Sequence, residues 1–169
     1  MGVLGGDFDE FVRASSPGLL RTAYLLTGDR GHAEDLVQTA LLQVARRWRR
    51  IRGEPTPYAR RVVVNLAKNR WRERSRRPQE STATVEPGPA PPDGDVLLQQ
   101  VLLPAVMELP TRQRAVLVLR YFQDLSVEQT AAALGCSTGT VKSQTHHALS
   151  KLRKALGDPA DLKENDHAN

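Results

Sequence analysis

Apolar side chains recur every three or four positions along most of this chain and almost nowhere in alternation, a period that predicts helices and no sheet. Phe8, Phe11 and Val12 predict a first short helix. Ser16-Pro17 then has the form of an N-cap followed by proline at the first helical position. A second helix is therefore expected through Leu19, Leu20, Ala23, Tyr24 and Leu26, stopped by Gly28. Asp29 is placed to cap a third, in which Ala33, Leu36, Val37, Ala40, Leu41, Val44, Trp48 and Ile51 make one buried stripe. Gly53 and the Pro55/Pro57 pair break the chain, and a last helix of this half is expected from about Tyr58 to Arg76. The valines of 62–64 and the Val116-Leu117-Val118 run resemble strand sequence taken alone, but both sit inside helical periods.

In the second half, Leu98, Val101, Leu102, Val106 and Met107 predict one helix, and Leu109-Pro110 introduces another from Arg112 to Phe122. Ser126 and Gln129 have the spacing of a capping box. Ala131, Ala132 and Ala133 are small enough to let a following helix cross closely, and Gly135 stands where the first must end left-handed. Ser137 then caps the second helix, Val141 is placed to pack back on the first, and Ala148, Leu149, Leu152 and Leu156 prolong the apolar side. Two helices so spaced form a helix-turn-helix.

Between the halves, residues 78–95 hold five of the eleven prolines, no Lys or Arg, and no apolar period, a composition unable to bury a core. The expected organisation is all-α: two small helical domains joined by a flexible linker, the second containing the helix-turn-helix. Their bounds are 7–77 and 96–156, with a Pro-rich acidic linker at 78–95 and a polar tail at 157–169.

The chain has 169 residues, and no apolar run approaches the ~20 needed to span a bilayer. The segment Met1–Glu10 lacks the apolar stretch of a secretory signal, so a cytoplasmic location is expected. The single cysteine, Cys136, permits neither an internal disulfide nor a cysteine-based zinc site, and His146 and His147 are adjacent rather than on one helix face. No metal, cofactor, membrane or small-molecule substrate is therefore expected.

Charge sharpens this picture. Residues 46–77 carry thirteen Lys and Arg against only Glu54 and Glu73, a net +11 on a chain whose total is +5. One dense cationic block on an otherwise acidic chain suits a polyanion partner. On the last helix of the first half, Arg61, Asn65, Lys68, Asn69 and Arg72 share one side, opposite Tyr58, Val62, Val63, Leu66 and Ala67. The cations there can neutralise phosphates, and the asparagine amides can read base edges. Trp71 and Tyr58 each suit either base stacking or core packing, and core packing is the expectation for Tyr58. On the second helix of the helix-turn-helix, Ser137, Thr138, Thr140, Lys142, Ser143, Gln144 and His147 are the candidates for duplex contact, with Gly139 permitting close approach of the backbone.

Three stretches carry a family resemblance. Leu109-Pro110, Arg114, Val116-Leu117, Leu119-Arg120-Tyr121, Asp124-Leu125-Ser126 and the run Leu134 to Ser143 resemble region four of the extracytoplasmic-function (ECF) sigma factors, in their actinobacterial sigma-E-like group. The run Ala33 to Gln38, with Trp48, resembles their region 2.2, and the run Val64 to Asn69 their region 2.3/2.4 helix. The resemblance implies a transcription initiation factor and not an enzyme. It implies that Asp35, Leu36 and Gln38 dock on the β′ clamp helices of core RNA polymerase. The loop at 53–57 and Asn65 would hold an unpaired base of the promoter −10 element, at a cost of a few kcal/mol for extruding it. Region four would read the −35 element and touch the β flap, the linker would thread toward the RNA exit path, and an anti-sigma factor is a compatible further partner. Thr39 stands where family members often have an acid, and Gln144 and His147 stand where many have arginine. The −35 sequence read here is thus expected to differ from the commonest one.

A stand-alone helix-turn-helix regulator would account for residues 109–156 but not for the basic asparagine-bearing helix. A recombinase or nuclease would need clustered carboxylates, a phosphate loop or an activated nucleophile, and the sequence presents none of these patterns.

Overall fold

In a computed structural model of the chain, residues 5–76 and 98–157 are described; the expected linker at 78–95 and the tail beyond Gly157 lie outside them. The chain divides into two compact units between Pro92 and Asp93. All described regular structure is helical.

The first unit is built from α1 (Gly6–Thr27), α2 (Arg30–Arg47), a short 3-10 turn (Trp48–Arg50) and α3 (Pro55–Arg76), each of the three helices packing on the other two. The two helices expected before Gly28 are one: α1 runs straight through Pro17, so Ser16 is not an N-cap. Ser16 instead donates its hydroxyl back to the Val12 carbonyl. What holds the first half of α1 in line is tertiary. The rings of Phe8 and Phe11 lie 5.1 and 5.2 Å from that of Trp48, while Leu19, Ala23 and Leu26 continue the buried stripe. Proline's missing hydrogen bond is outweighed by that shared apolar face.

Gly28 ends α1 in the left-handed conformation (φ 72°), as only glycine does readily, and its N–H donates to the Tyr24 carbonyl at 2.7 Å. Asp29 caps α2 by accepting from the His32 N–H at 2.7 Å. Ala33, Leu36, Val37, Ala40 and Val44 are the buried stripe of α2, whereas Leu41, Trp48 and Ile51 are only half-buried. Helix α3 begins at Pro55, three residues earlier than its apolar period predicts. Both prolines fit because the first-turn N–H groups of a helix have no intrahelical acceptor. The break is confined to Ile51–Glu54, where Gly53 turns the chain at φ 83°. Val62, Val63 and Val64 are all buried, so tertiary packing overrides their preference for strands.

The second unit starts with a π-wound turn (Leu98–Leu102) leading into α4 (Leu103–Met107). α5 (Thr111–Leu117) continues into a second π-wound turn (Val118–Phe122), closed by the Gln123 N–H on the Val118 carbonyl at 3.0 Å. Asp124, at φ 52°, reverses the chain, and Arg120 secures the reversal by donating to the Leu125 carbonyl. Then come α6 (Val127–Leu134) and α7 (Thr138–Leu156). The capping box is present in both directions, Gln129 N–H to Ser126 Oγ at 3.0 Å and Ser126 N–H to Gln129 Oε1 at 2.9 Å. Gly135 is left-handed at φ 67°, and Ser137 Oγ accepts from the Thr140 N–H at 3.1 Å.

Of the three alanines only Ala131 lies in the crossing, against Val116 and Val141, with Val127, Leu134 and Cys136 around them. Two turns further along α7, Ala148 packs with Leu109 and Leu117, flanked by Leu149 and Leu152. Arg114 is turned into this unit, 9% exposed, with one guanidinium N–H on the Met107 carbonyl at 3.2 Å. Burial lowers its pKa below the usual arginine value. It joins α5 to the end of α4 rather than facing solvent.

Two stability changes follow from this packing. Thr130 is fully buried and its hydroxyl has no hydrogen-bond partner, so Thr130→Val, which keeps the shape, is expected to raise unfolding free energy by about 1 kcal/mol. Ser137→Ala removes the cap of α7 and is expected to lower it by about 1 kcal/mol. Urea unfolding followed by helical circular dichroism measures both, and equal midpoints for the three proteins would contradict both assignments.

Candidate nucleic-acid interfaces

On α3, the inward positions are Ala59, Val62, Val63, Val64 and Ala67. Arg61, Asn65, Asn69 and Arg72 follow one another at four, four and three residues and are exposed as a single stripe about 16 Å long. Lys68, placed with them by the sequence pattern, is half-buried at its edge. None of the described arginines from Arg46 to Arg76 is held in an ion pair. Their mutual repulsion is therefore uncompensated within the unit, which a polyanion would relieve.

The N-terminal end of the stripe opens into a cavity of about 480 Å³. Arg47, Arg50, Arg52 and Arg61 surround Tyr58 there, with Ile51 and Pro57 as apolar wall and Glu54 as the one acid. Tyr58, which the apolar pattern put on the inward side, stands at its margin: it precedes buried Val62 by four residues and exposed Arg61 by three, and is half-buried in the cavity wall. The charge density of 46–61 was legible in the sequence. Its gathering around one cavity with Tyr58 was not, since this depends on the left-handed turn at Gly53 and on where α2 ends. Trp71 is half-buried.

On α2, Asp35 and Gln38 are exposed, but Leu36 is 8% exposed and belongs to the core. Leu36 follows Asp35 by one residue, a rotation of about 100° that carries it to the buried stripe. The outward apolar residue on that face is Leu42, 61% exposed, four positions after Gln38 and seven after Asp35.

On α7, Val141 and Ala148 face the core. Thr138, Lys142, Ser143 and His147 are exposed, while Thr140 and Gln144 are half-buried at the margin of that face. The Ser137 and Thr140 hydroxyls are 2.9 Å apart and occupied with each other and with the cap. His146 is exposed four residues after Lys142 and three after Ser143, so it shares the outward strip, where surface packing or a phosphate contact is open to it. Its ring lies 6.0 Å from that of His147, at 64°. A Cβ at Gly139 would meet only Ser137 Oγ, at an ordinary 3.8 Å, so the protein's own packing does not require glycine there. Among the described residues, no group of three or more His, Cys, Asp or Glu gathers, and no helix is long and apolar enough to cross a membrane.

Known proteins share this arrangement. Residues 11–77 match the family described as Sigma-70 region 2, and residues 99–152 match Sigma-70, region 4. The chain is 40% identical over 156 residues to the RNA polymerase sigma-E factor of Streptomyces coelicolor, covering 89% of this chain and 86% of that protein. It is 33% identical over 156 residues to the ECF RNA polymerase sigma factor SigL of Mycobacterium tuberculosis, covering 82% of each. Among solved structures, the sigma factor RpoE of Bartonella quintana, crystallised with the anti-sigma factor NepR, superposes with a TM-score of 0.69 at 26% identity, over 90% of this chain and 98% of that one. With both regions matched in order and relatives covered over most of their length, the chain belongs to the sigma-70 family of RNA polymerase sigma factors, in its ECF group.

Proposed function

We propose that this sigma factor binds core RNA polymerase through the outward face of α2 and holds a promoter at two places. The face of Asp35 and Gln38, with Leu42 at its centre, would dock on the clamp helices of the β′ subunit. Arg61, Asn65, Lys68, Asn69 and Arg72 of α3 would bind the −10 element, with a base extruded into the cavity beside Tyr58. Stacking on an aromatic ring contributes about 1–3 kcal/mol per base, comparable to the few kcal/mol that extrusion costs. Ser137, Thr138, Thr140, Lys142, Ser143, Gln144 and His147 of α7 would read or position the −35 duplex, and this unit would also touch the β flap. The observation that carries the reading is the unpaired arginine array around an aromatic-lined cavity at the head of an exposed asparagine stripe.

The division of labour follows the two units, with 7–77 as the polymerase and −10 domain, 78–95 as linker and 96–156 as the −35 domain. Location in the cytoplasm follows from this role, as does the absence of an enzymatic reaction of its own. An anti-sigma partner is proposed by analogy with the NepR complex of the Bartonella protein.

Run-off transcription with purified core polymerase, followed by start-site mapping, tests the whole reading. No initiation from any genomic template would overturn it. Asn65→Ala is expected to reduce open-complex formation at least tenfold, with core polymerase binding unchanged, as read by permanganate footprinting and gel filtration. Lys142→Ala is expected to weaken −35 binding and to reduce the slope of log K against log salt by about one. An unchanged slope removes Lys142 from the phosphate contacts.

A further inference from the structure

We infer that His146 and His147 make a protonation-dependent contact with the −35 duplex, so that this sigma factor grips its promoters more tightly as pH falls. The inference rests on the proposed reading of α7 and adds a property that reading does not contain.

The two imidazoles occupy the second turn of the outward strip. His146 stands one turn beyond Lys142, and His147 one turn beyond Ser143. Successive residues on a helix diverge by about 100°, yet these rings meet edge-to-face at 6.0 Å. Two titratable groups are thus brought to one short stretch of surface, both exposed.

No described residue of the unit forms an ion pair with them. The elements packed on α7 are α4, α5 and α6. Their charged groups are Glu108 at the end of α4, Arg112 and Arg114 on α5, and Glu128 on α6. Arg114 is turned into the core, and no carboxylate makes an ion pair with either imidazole. On α7 itself the charged neighbours are Lys142, Lys151, Arg153 and Lys154. Among the described residues protonation therefore serves no salt bridge, and a polyanion is the ligand that would use the charge.

The duplex supplies one. A neutral imidazole has one donor and one acceptor, whereas the imidazolium has two donors and a charge. Phosphate oxygens, and the guanine O6 and N7 edge, are acceptors only. DNA against this strip selects the protonated form, and by linkage a ligand that selects a protonated form binds more tightly as protons become available. Histidine is the side chain whose ordinary charge change falls between about pH 5 and pH 8.

The test measures promoter affinity of reconstituted holoenzyme at constant salt from about pH 8 to about pH 6, for wild type, His146→Gln/His147→Gln, His147→Arg and Lys142→Ala. Wild-type Kd is expected to fall on the order of tenfold across that range, and the double glutamine variant to lose most of that dependence. His147→Arg, charged at every pH, is expected to bind at the alkaline end nearly as well as wild type does at the acid end. The two single glutamine variants, each checked for helix content, carry the test if the double variant is misfolded. A wild-type profile that is flat, or a pH dependence fully retained without both imidazoles, overturns the inference. Those results leave the −35 reading of α7 standing if Lys142→Ala still weakens binding. If Lys142→Ala binds as wild type does at every pH, the −35 reading itself has failed.

Discussion

Val141 and Ala148 have no exposed surface, and their burial sets the rotation of α7 about its own axis. They stand two turns apart, one against Val116 and Ala131, the other against Leu109 and Leu117. Two anchors on one stripe leave the helix a single orientation, and that orientation turns Lys142, Ser143, His146 and His147 outward. A slip of one residue, about 100°, would carry Lys142 into the core at a cost far above the value of any one contact it makes. The duplex-facing strip is thus a by-product of where two small apolar residues pack.

The first unit uses the same constraint on α3. Val63 and Ala67 have no exposed surface, and the stripe from Arg61 to Arg72 is what remains on the other side. The unit differs in its charge. None of its described arginines from Arg46 to Arg76 is held in an ion pair, so they repel one another across that segment. Apolar contacts between distant segments offset this repulsion, with Phe8 and Phe11 against Trp48 joining the start of α1 to the end of α2. The same contact places Arg47, Arg50 and Arg52 near the head of α3, where they ring Tyr58. Stability and the polyanion site therefore share a residue neighbourhood.

The two surfaces also divide chemically. The α3 face combines guanidinium groups, whose charge is permanent, with amides that read base edges. The α7 face combines one lysine and small hydroxyls with two imidazoles. Salt should weaken the grip of both, since both neutralise phosphates, but acidity should strengthen only the second. The two units are joined through residues outside the described set, so each surface stands on its own unit's packing.

The amino-acid sequence by itself determined the all-helical class, the order of the helices and the helix-turn-helix. The reason is range. Ser126 with Gln129, Ser137 with Thr140, Asp29 with His32 and the left-handed glycines 28 and 135 act on partners within about four residues, so their geometry is written locally. The candidate α7 and α3 residues were legible for the same reason, through helical period. Only the tertiary structure decided that Ser16-Pro17 lies inside a helix, that Leu36 faces inward while Leu42 faces out, and that Tyr58 lines a cationic cavity. Each of these depends on which face another helix covers, and Phe8 meets Trp48 across forty residues of chain that no local pattern spans.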